Sequence, residues 1–317
     1  MRRQLVCAIA LIMVFLVSAC TTSHDRQEQY KSEGIMALNK GDYAKAIELF
    51  NDALQSSEGR VDEGEIDICY YKAAAQFNMG DVKEAIKTYT ALIDYDENNA
   101  YPYFLRGSVY LKSGEKSSGF DDYKEAIKID EDNYDLYMAI YENLTALNYE
   151  REAQEFLNIA LEKSGDSADD CLARGKIYTS LKQYDAAKAA YEKAIDKGAD
   201  DANIYLANMY LAEGKEAECD KILEQYKNDE NPNATECNAL ASMELRRGNP
   251  EEALKYINMG LDKFSVPNRK ELLKNRVAAY EYMGSFNEAF TYAMEFLQEY
   301  PQDVDMAREV TFLTTRV

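Results

Sequence analysis

The sequence predicts an all-α protein built from stacked helix pairs, and three observations carry that prediction. Turn-forming residues recur at Gly41, Gly80, Gly114, Asn148, Lys182, Gly214, Gly248 and Gly284, with separations of 39, 34, 34, 34, 32, 34 and 36. Between these anchors a small residue is followed twelve positions on by another small one, four later by a large apolar one, and three later by a small one. Gly34, Ala46, Phe50 and Ala53 show this pattern, as do Gly107, Gly119, Tyr123 and Ala126, and Gly175, Ala187, Tyr191 and Ala194. Finally, 46% apolar content with Tyr 25, Trp 0 and Pro 5 suits helices whose interiors are filled by tyrosine.

Helix crossing explains the spacing. Two antiparallel helices approach closely only where side chains are small, so Gly107 on a first helix is expected to face Gly119 on the second. Tyr103, Tyr110 and Tyr123 are expected to be core wedges of that repeat, and the anchors to end each first helix in a left-handed cap. A period near 34 with two helical patterns per unit resembles the tetratricopeptide repeat family, over residues 27–301. The resemblance implies a right-handed superhelical solenoid of about eight helix pairs that performs no chemistry and binds partners on its concave face. Asp303 to Val317, within a closing segment 302–317, reads as the capping helix a solenoid needs over its last apolar face.

Some copies depart from the family pattern. Tyr141 and Val277 occupy the small first-helix site of the fourth and eighth repeats, so the helices there must spread or the side chain must turn outward. Cys219 replaces the small second-helix residue of the sixth. The proline that usually closes a repeat is present only as Pro301, and five extra residues between Gln55 and Ile66 lengthen the first inter-repeat loop.

The N-terminus reads as an address. Two arginines precede an apolar run of 13 residues from Leu5 to Val17, closed by Val17-Ser18-Ala19-Cys20. A spanning helix needs about 20 apolar residues, so residues 1–19 read as a cleaved signal. The closing tetrapeptide resembles the lipobox of bacterial lipoproteins. That resemblance implies acylation of Cys20, a short tether over 20–26, and a membrane-attached extracytoplasmic location at a cell membrane outer leaflet or an outer membrane. Six tether residues at about 3.5 Å each would hold the body within roughly 20 Å of the headgroups.

Charge and composition exclude several classes. The formal net charge is -21, and loss of Arg2 and Arg3 with the signal takes it to -23. Nucleic acid is not an expected partner, because phosphate binding needs a basic surface. A single histidine, His24, cannot build a triad or a His-rich metal site. No phosphate-loop, dinucleotide, nucleophile-elbow or zinc-protease string occurs, so the chain reads as a non-enzyme without a cofactor or metal. Asp94 to Asn99 begins like a calcium loop but lacks its glycine and closing Glu, and reads as an acidic turn. Asp121-Asp122, Asp130-Glu131-Asp132, Asp169-Asp170 and Asp200-Asp201 read as carboxylates preceding helices. Cys69, Cys171 and Cys237 share one first-helix site and read as buried free thiols, with pairing of Cys219 and Cys237 left open.

Tracking the helical phase away from the core gives the expected groove: Tyr70, Phe77, Asn78, Tyr101, Phe104, Ser108, Leu111 and Lys112, then Lys176, Thr179, Asn208, Leu211, Asn238, Ser242 and Arg246. Its aromatics fit binding hot spots. The expected partner is a protein or peptide, with basic character favoured by the charge, and an assembly role in envelope machinery by analogy. The alternative is a lipoprotein that binds carbohydrate or another solute by stacking on tyrosine and phenylalanine. Family members that grip a C-terminal carboxylate carry Lys followed four residues later by Asn, and here Ile35 follows Lys31 and Ala278 follows Lys274.

Overall fold

The computed structural model describes residues 24–57, 61–199, 201–228, 231–300 and 303–316. The signal segment, Cys20 and Pro301 lie outside the described residues. Every regular element among those described is helical. The chain divides into two compact units, with the boundary in sequence between Ala153 and Gln154.

In the first unit, α1 (24–39) pairs with α2 (Tyr43–Ser56), α3 (Glu63–Asn78) with α4 (Val82–Tyr95), and α5 (Ala100–Lys112) with α6 (Lys116–Ile129); α7 (Tyr134–Ala146) follows, and the unit ends within α8 (Glu150–Leu161). In the second unit, α9 (Ala168–Ser180) pairs with α10 (Tyr184–Asp196), and α11 (Ala202–Ala212) with α12 (Glu216–Leu223), which runs on into a 3-10 turn. α13 (Ala234–Arg246) then pairs with α14 (Pro250–Leu261), α15 (Arg269–Tyr282) with α16 (Phe286–Glu299), and α17 (Val304–Leu313) closes the unit.

All eight expected anchors adopt positive φ, from 58° at Lys182 to 91° at Gly80 and Gly114. The caps bond as the left-handed geometry requires: the Gly114 amide donates to Leu111 O at 3.1 Å and the Glu115 amide to Tyr110 O at 2.8 Å. The small sites behave as expected. A Cβ placed on Gly107 would sit 3.0 Å from Gly119 O, and one on Gly175 would sit 2.4 Å from the Tyr191 ring. Ala46, Phe50, Ala53, Tyr123, Ala126, Ala187, Tyr191 and Ala194 are all fully or almost fully buried.

Several expectations need correction. Tyr123 is a core wedge, but Tyr103 and Tyr110 are only half-buried, because they flank the Arg106 guanidinium at 5.7 and 5.9 Å from their ring centres. Asp121-Asp122 does not precede a helix. Asp122 is buried in mid-α6, where it accepts from Arg106 Nε and Nη2, both at 2.8 Å, while Arg106 Nη1 donates to Thr90 Oγ1 at 2.9 Å. Val277 points inward and is buried opposite Ala289 and Ala293, whose small side chains make its room. Tyr141 is half-buried while Ile140 and Leu144 carry the interior of α7. Cys171, Cys219 and Cys237 are buried free thiols, Cys69 is half-buried, and Cys219 and Cys237 do not pair. In the Asp94 to Asn99 turn, Asp96 accepts from the Asn98 amide and Asn99 caps α5 by accepting from the Tyr101 amide.

The closing helix α17 buries Met306 and Leu313 against Val277, Ala293 and Phe296. Burial pushes the Asp303 carboxyl up. Hydrogen bonds from Lys274, the Met306 amide and Lys270 outweigh it and hold the group well below the usual carboxylate range. Glu281 on α15 does the opposite. Burial first, then the hydrogen bond that protonated Glu281 donates to Glu309 on α17 and repulsion from that group's charge, push it up to about 7. A carboxyl raised in the folded state contributes stability that is complete below its unfolded value near 4.5 and is lost as pH rises toward 7. The thermal midpoint is therefore expected to fall between pH 5 and pH 8, and Glu281→Gln to flatten that fall. An unchanged pH slope in the variant, measured by circular dichroism, would assign the effect elsewhere.

Candidate functional site

In the first unit the predicted groove residues come from α3 and α5, whose antiparallel partners α4 and α6 lie behind them. Of their four aromatics Tyr101 is the exposed one, at 52%. Its ring centre lies 5.1 Å from Tyr70 and 6.4 Å from Phe104, and Phe104 in turn stacks 5.7 Å from buried Tyr123. The four rings form one continuous row from solvent into the core. Burial, chiefly, pushes the Tyr70 hydroxyl up to about 12, so it stays a neutral hydrogen-bonding group, with Asn99 as a partner. Phe77 is half-buried beneath Lys112, whose Nζ lies 5.7 Å from the ring centre, and Asn78 is exposed beside it.

Two members of the predicted groove offer no open surface. Ser108 is buried because α7 reaches it: Asn143 Nδ2 donates to Ser108 Oγ at 2.9 Å, and that hydroxyl lies 3.0 Å from the Tyr123 hydroxyl. Leu111 is buried because it turns toward α6, where a Cβ on Gly119 would meet its Cγ at 2.5 Å. Helical phase alone places both on the outer side; the space vacated by Gly119 and the amide of the next repeat draw them in.

Sequence reasoning missed the cleft beside Tyr101. It has a volume of about 400 Å³ and is lined by Asp96, Asn98 and Asn99 of one inter-repeat turn and Asp130 and Asn133 of the next. Asn99 and Asn133 turn inward to cap α5 and α7. The carboxylates of Asp96 and Asp130, which accept from the Asn98 amide and from Asn133 Nδ2, line the cleft together with Tyr101. The signal was present in the sequence as acidic turns that repeat 34 residues apart.

In the second unit the predicted residues are more polar. Asn208 is exposed, and Leu211 is half-buried against the Cys219 cluster. Arg246 is committed to α12, donating to Asp220 Oδ1 at 3.1 Å with Cys219 Sγ at 3.6 Å. Asn238 and Ser242 both accept from Asn275 Nδ2, at 2.9 and 3.1 Å, which links α13 to α15. Lys176 lies 4.2 Å above the Tyr205 ring centre, and Thr179 Oγ1 lies 3.1 Å from the Tyr191 hydroxyl. No cluster of metal-ligating side chains occurs among the described residues. No helix among them is long and apolar enough to cross a membrane.

A profile described as TPR repeat matches residues 73–114, and one described as tetratricopeptide repeat matches 100–133 and 171–196. Neither profile describes an enzyme. The chain is 34% identical over 87 residues to the photosystem I assembly protein Ycf3 of Prochlorococcus marinus (strain MIT 9211), covering 27% of this chain and 48% of that protein. It is 30% identical over 96 residues to neutrophil cytosol factor 2 of Bos taurus, covering 30% and 17%. The match thus spans less than half the length of these relatives. A crystal structure of a tetratricopeptide repeat protein from Parabacteroides merdae ATCC 43184 matches 80% of this chain and 99% of its own, with 17% identity and a TM-score of 0.44. The type IV pilus biogenesis factor PilW matches 67% and 98%, with 16% identity and a TM-score of 0.40. Helix pairing, left-handed anchors and profile matches together show that this chain carries tetratricopeptide repeats, a protein-interaction fold, over 73–133 and 171–196.

Proposed function

We propose that this chain is a lipid-anchored extracytoplasmic scaffold that holds a protein or peptide partner on the aromatic row of α3 and α5, in an assembly role. One observation carries the reading: Tyr101 is an exposed ring backed by a continuous aromatic row reaching buried Tyr123. Such a ring loses little conformational entropy on binding and is a typical anchor. The two turn carboxylates beside it favour a basic segment, consistent with the net charge of -21. Ycf3, one of the proteins this chain is similar to, is a photosystem I assembly protein. Anchoring at Cys20 rests on the lipobox-like end of the apolar segment.

The test is quantitative crosslinking in the native envelope. Tyr101→Ala should weaken partner recovery by roughly thirtyfold, the equivalent of about 2 kcal/mol. Phe104→Ala is a poorer probe because Phe104 stacks on the core. Tyr95→Ala, equally exposed but outside the row, should leave recovery unchanged. In the same membranes Cys20→Ala should remain an unprocessed precursor. Unchanged capture by folded Tyr101→Ala would remove the aromatic row, and loss of glycan binding alone would install the solute-binding reading.

A further inference from the structure

A second face of the first unit carries a trough that the groove does not use. It has a volume of about 500 Å³ and lies between α3 and α4, with Leu54 of α2 closing one end. Ile66 and Cys69 on α3 and Ala91, Leu92 and Tyr95 on α4 line it. Thr88 Oγ1 donates to Gln76 Oε1 at 2.8 Å and fixes the antiparallel register of the two walls. Counting outward from that bond, the apolar residues cluster away from it, and Lys72 stands between them and it. The α4 stripe from Glu84 to Tyr95 is about 16 Å long at the rise of an α-helix.

The charges at the rim are unequal. Glu65 is satisfied by Gln27 Nε2 at 2.6 Å and by the Asp62 amide at 2.9 Å, and Lys87 pairs with Glu84 at 3.4 Å. Lys72 has no carboxylate partner among the described residues. Among the described residues the trough thus offers, in Lys72, a cation without a carboxylate partner next to an apolar channel. Its helical walls have satisfied their own backbone groups, so they offer nothing to the amides of an inserted peptide. A hydrocarbon chain needs no such partners. The size and the balance of apolar walls with few polar groups fit a small-molecule site.

We infer that this trough binds a free fatty acid, with the acyl chain against Ile66, Cys69, Leu92 and Tyr95 and the carboxylate on Lys72. The site is independent of the aromatic row, so either can fail alone.

Cys69 supplies the readout, because it is half-buried in the trough while Cys171, Cys219 and Cys237 are buried. Maleimide alkylation of Cys69 in the full chain would be followed by peptide mass spectrometry with dodecanoate as the probe. Alkylation should slow about tenfold at ten times the Kd, by mass action. Dodecyltrimethylammonium has the same tail and should not protect. Lys72→Glu should weaken dodecanoate protection at least about tenfold, as loss of a charge-assisted contact implies, and Lys72→Arg should retain it. No protection by dodecanoate, equal protection by the ammonium compound, or full protection in folded Lys72→Glu would each overturn the proposal.

Discussion

Asp122→Ala is expected to destabilise the first unit by about 3 kcal/mol, the low end for breaking a buried ion pair. The Arg106 and Asp122 side chains are 16% and 9% exposed, and two parallel bonds of 2.8 Å join them. The hydrogen bonding that Arg106 donates to Asp122 is the leading reason its guanidinium is held further above its ordinary value, with burial opposing. Without Asp122 that charge remains between Tyr103 and Tyr110 with, among the described residues, the Thr90 hydroxyl alone to accept from it. The cost is the uncompensated cation rather than the worth of the pair. Replacing both partners, as in Arg106→Met with Asp122→Leu, should accordingly recover most of the loss. Urea unfolding of wild type, single variant and double variant decides it. A single variant within 1 kcal/mol of wild type, or a double variant no better than the single, would mean the pair is solvated in solution.

The same pair shows where the sequence was legible and where it was not. The anchors could be read because a left-handed backbone costs glycine nothing; Asn148 and Lys182 were recovered only through their spacing. Gly198, also left-handed at φ 86°, was missed because α4 and α6 end at Asp96 and Asp130 without such a cap. The short separation of 32 falls in α11, which has 11 residues where α5 has 13. Asp122 was misread because two adjacent aspartates look like a helix-flanking pair. The decisive fact, an arginine one residue before Gly107 facing an aspartate one residue before Tyr123, is a relation between two helices. The groove divided along similar lines. Tyr70, Phe77, Tyr101 and Phe104 could be placed from helical phase, whereas the burial of Ser108 and Leu111 depends on Asn143 and Gly119, one in the next repeat and one in the opposing helix.

Gly107→Leu should lower the thermal midpoint despite improving local helix propensity by about 1 kcal/mol. Its Cβ would lie 2.8 Å from Tyr123 Cδ1 and 3.0 Å from the carbonyl oxygen of Gly119. Neither neighbour can yield cheaply. The Tyr123 ring is fully buried and its hydroxyl sits 3.0 Å from Ser108 Oγ, while the Gly119 oxygen belongs to the α6 backbone. The helices must therefore separate, and overpacking of this kind costs about 1 to 3 kcal/mol before the further carbons of leucine are placed. Gly64→Ala is the matched control. Its added carbon meets only Asp62 Oδ1, at 3.1 Å, and should leave the midpoint near wild type. Because each repeat is stabilised by its neighbours, hydrogen exchange should quicken in α4 and α6 as well as in α5. α5 also carries Tyr101 and Phe104, so a separated α5 should weaken partner capture even at temperatures where the chain stays folded. A midpoint equal to wild type would refute the close crossing, and normal capture from a destabilised chain would show that the aromatic row tolerates its displacement.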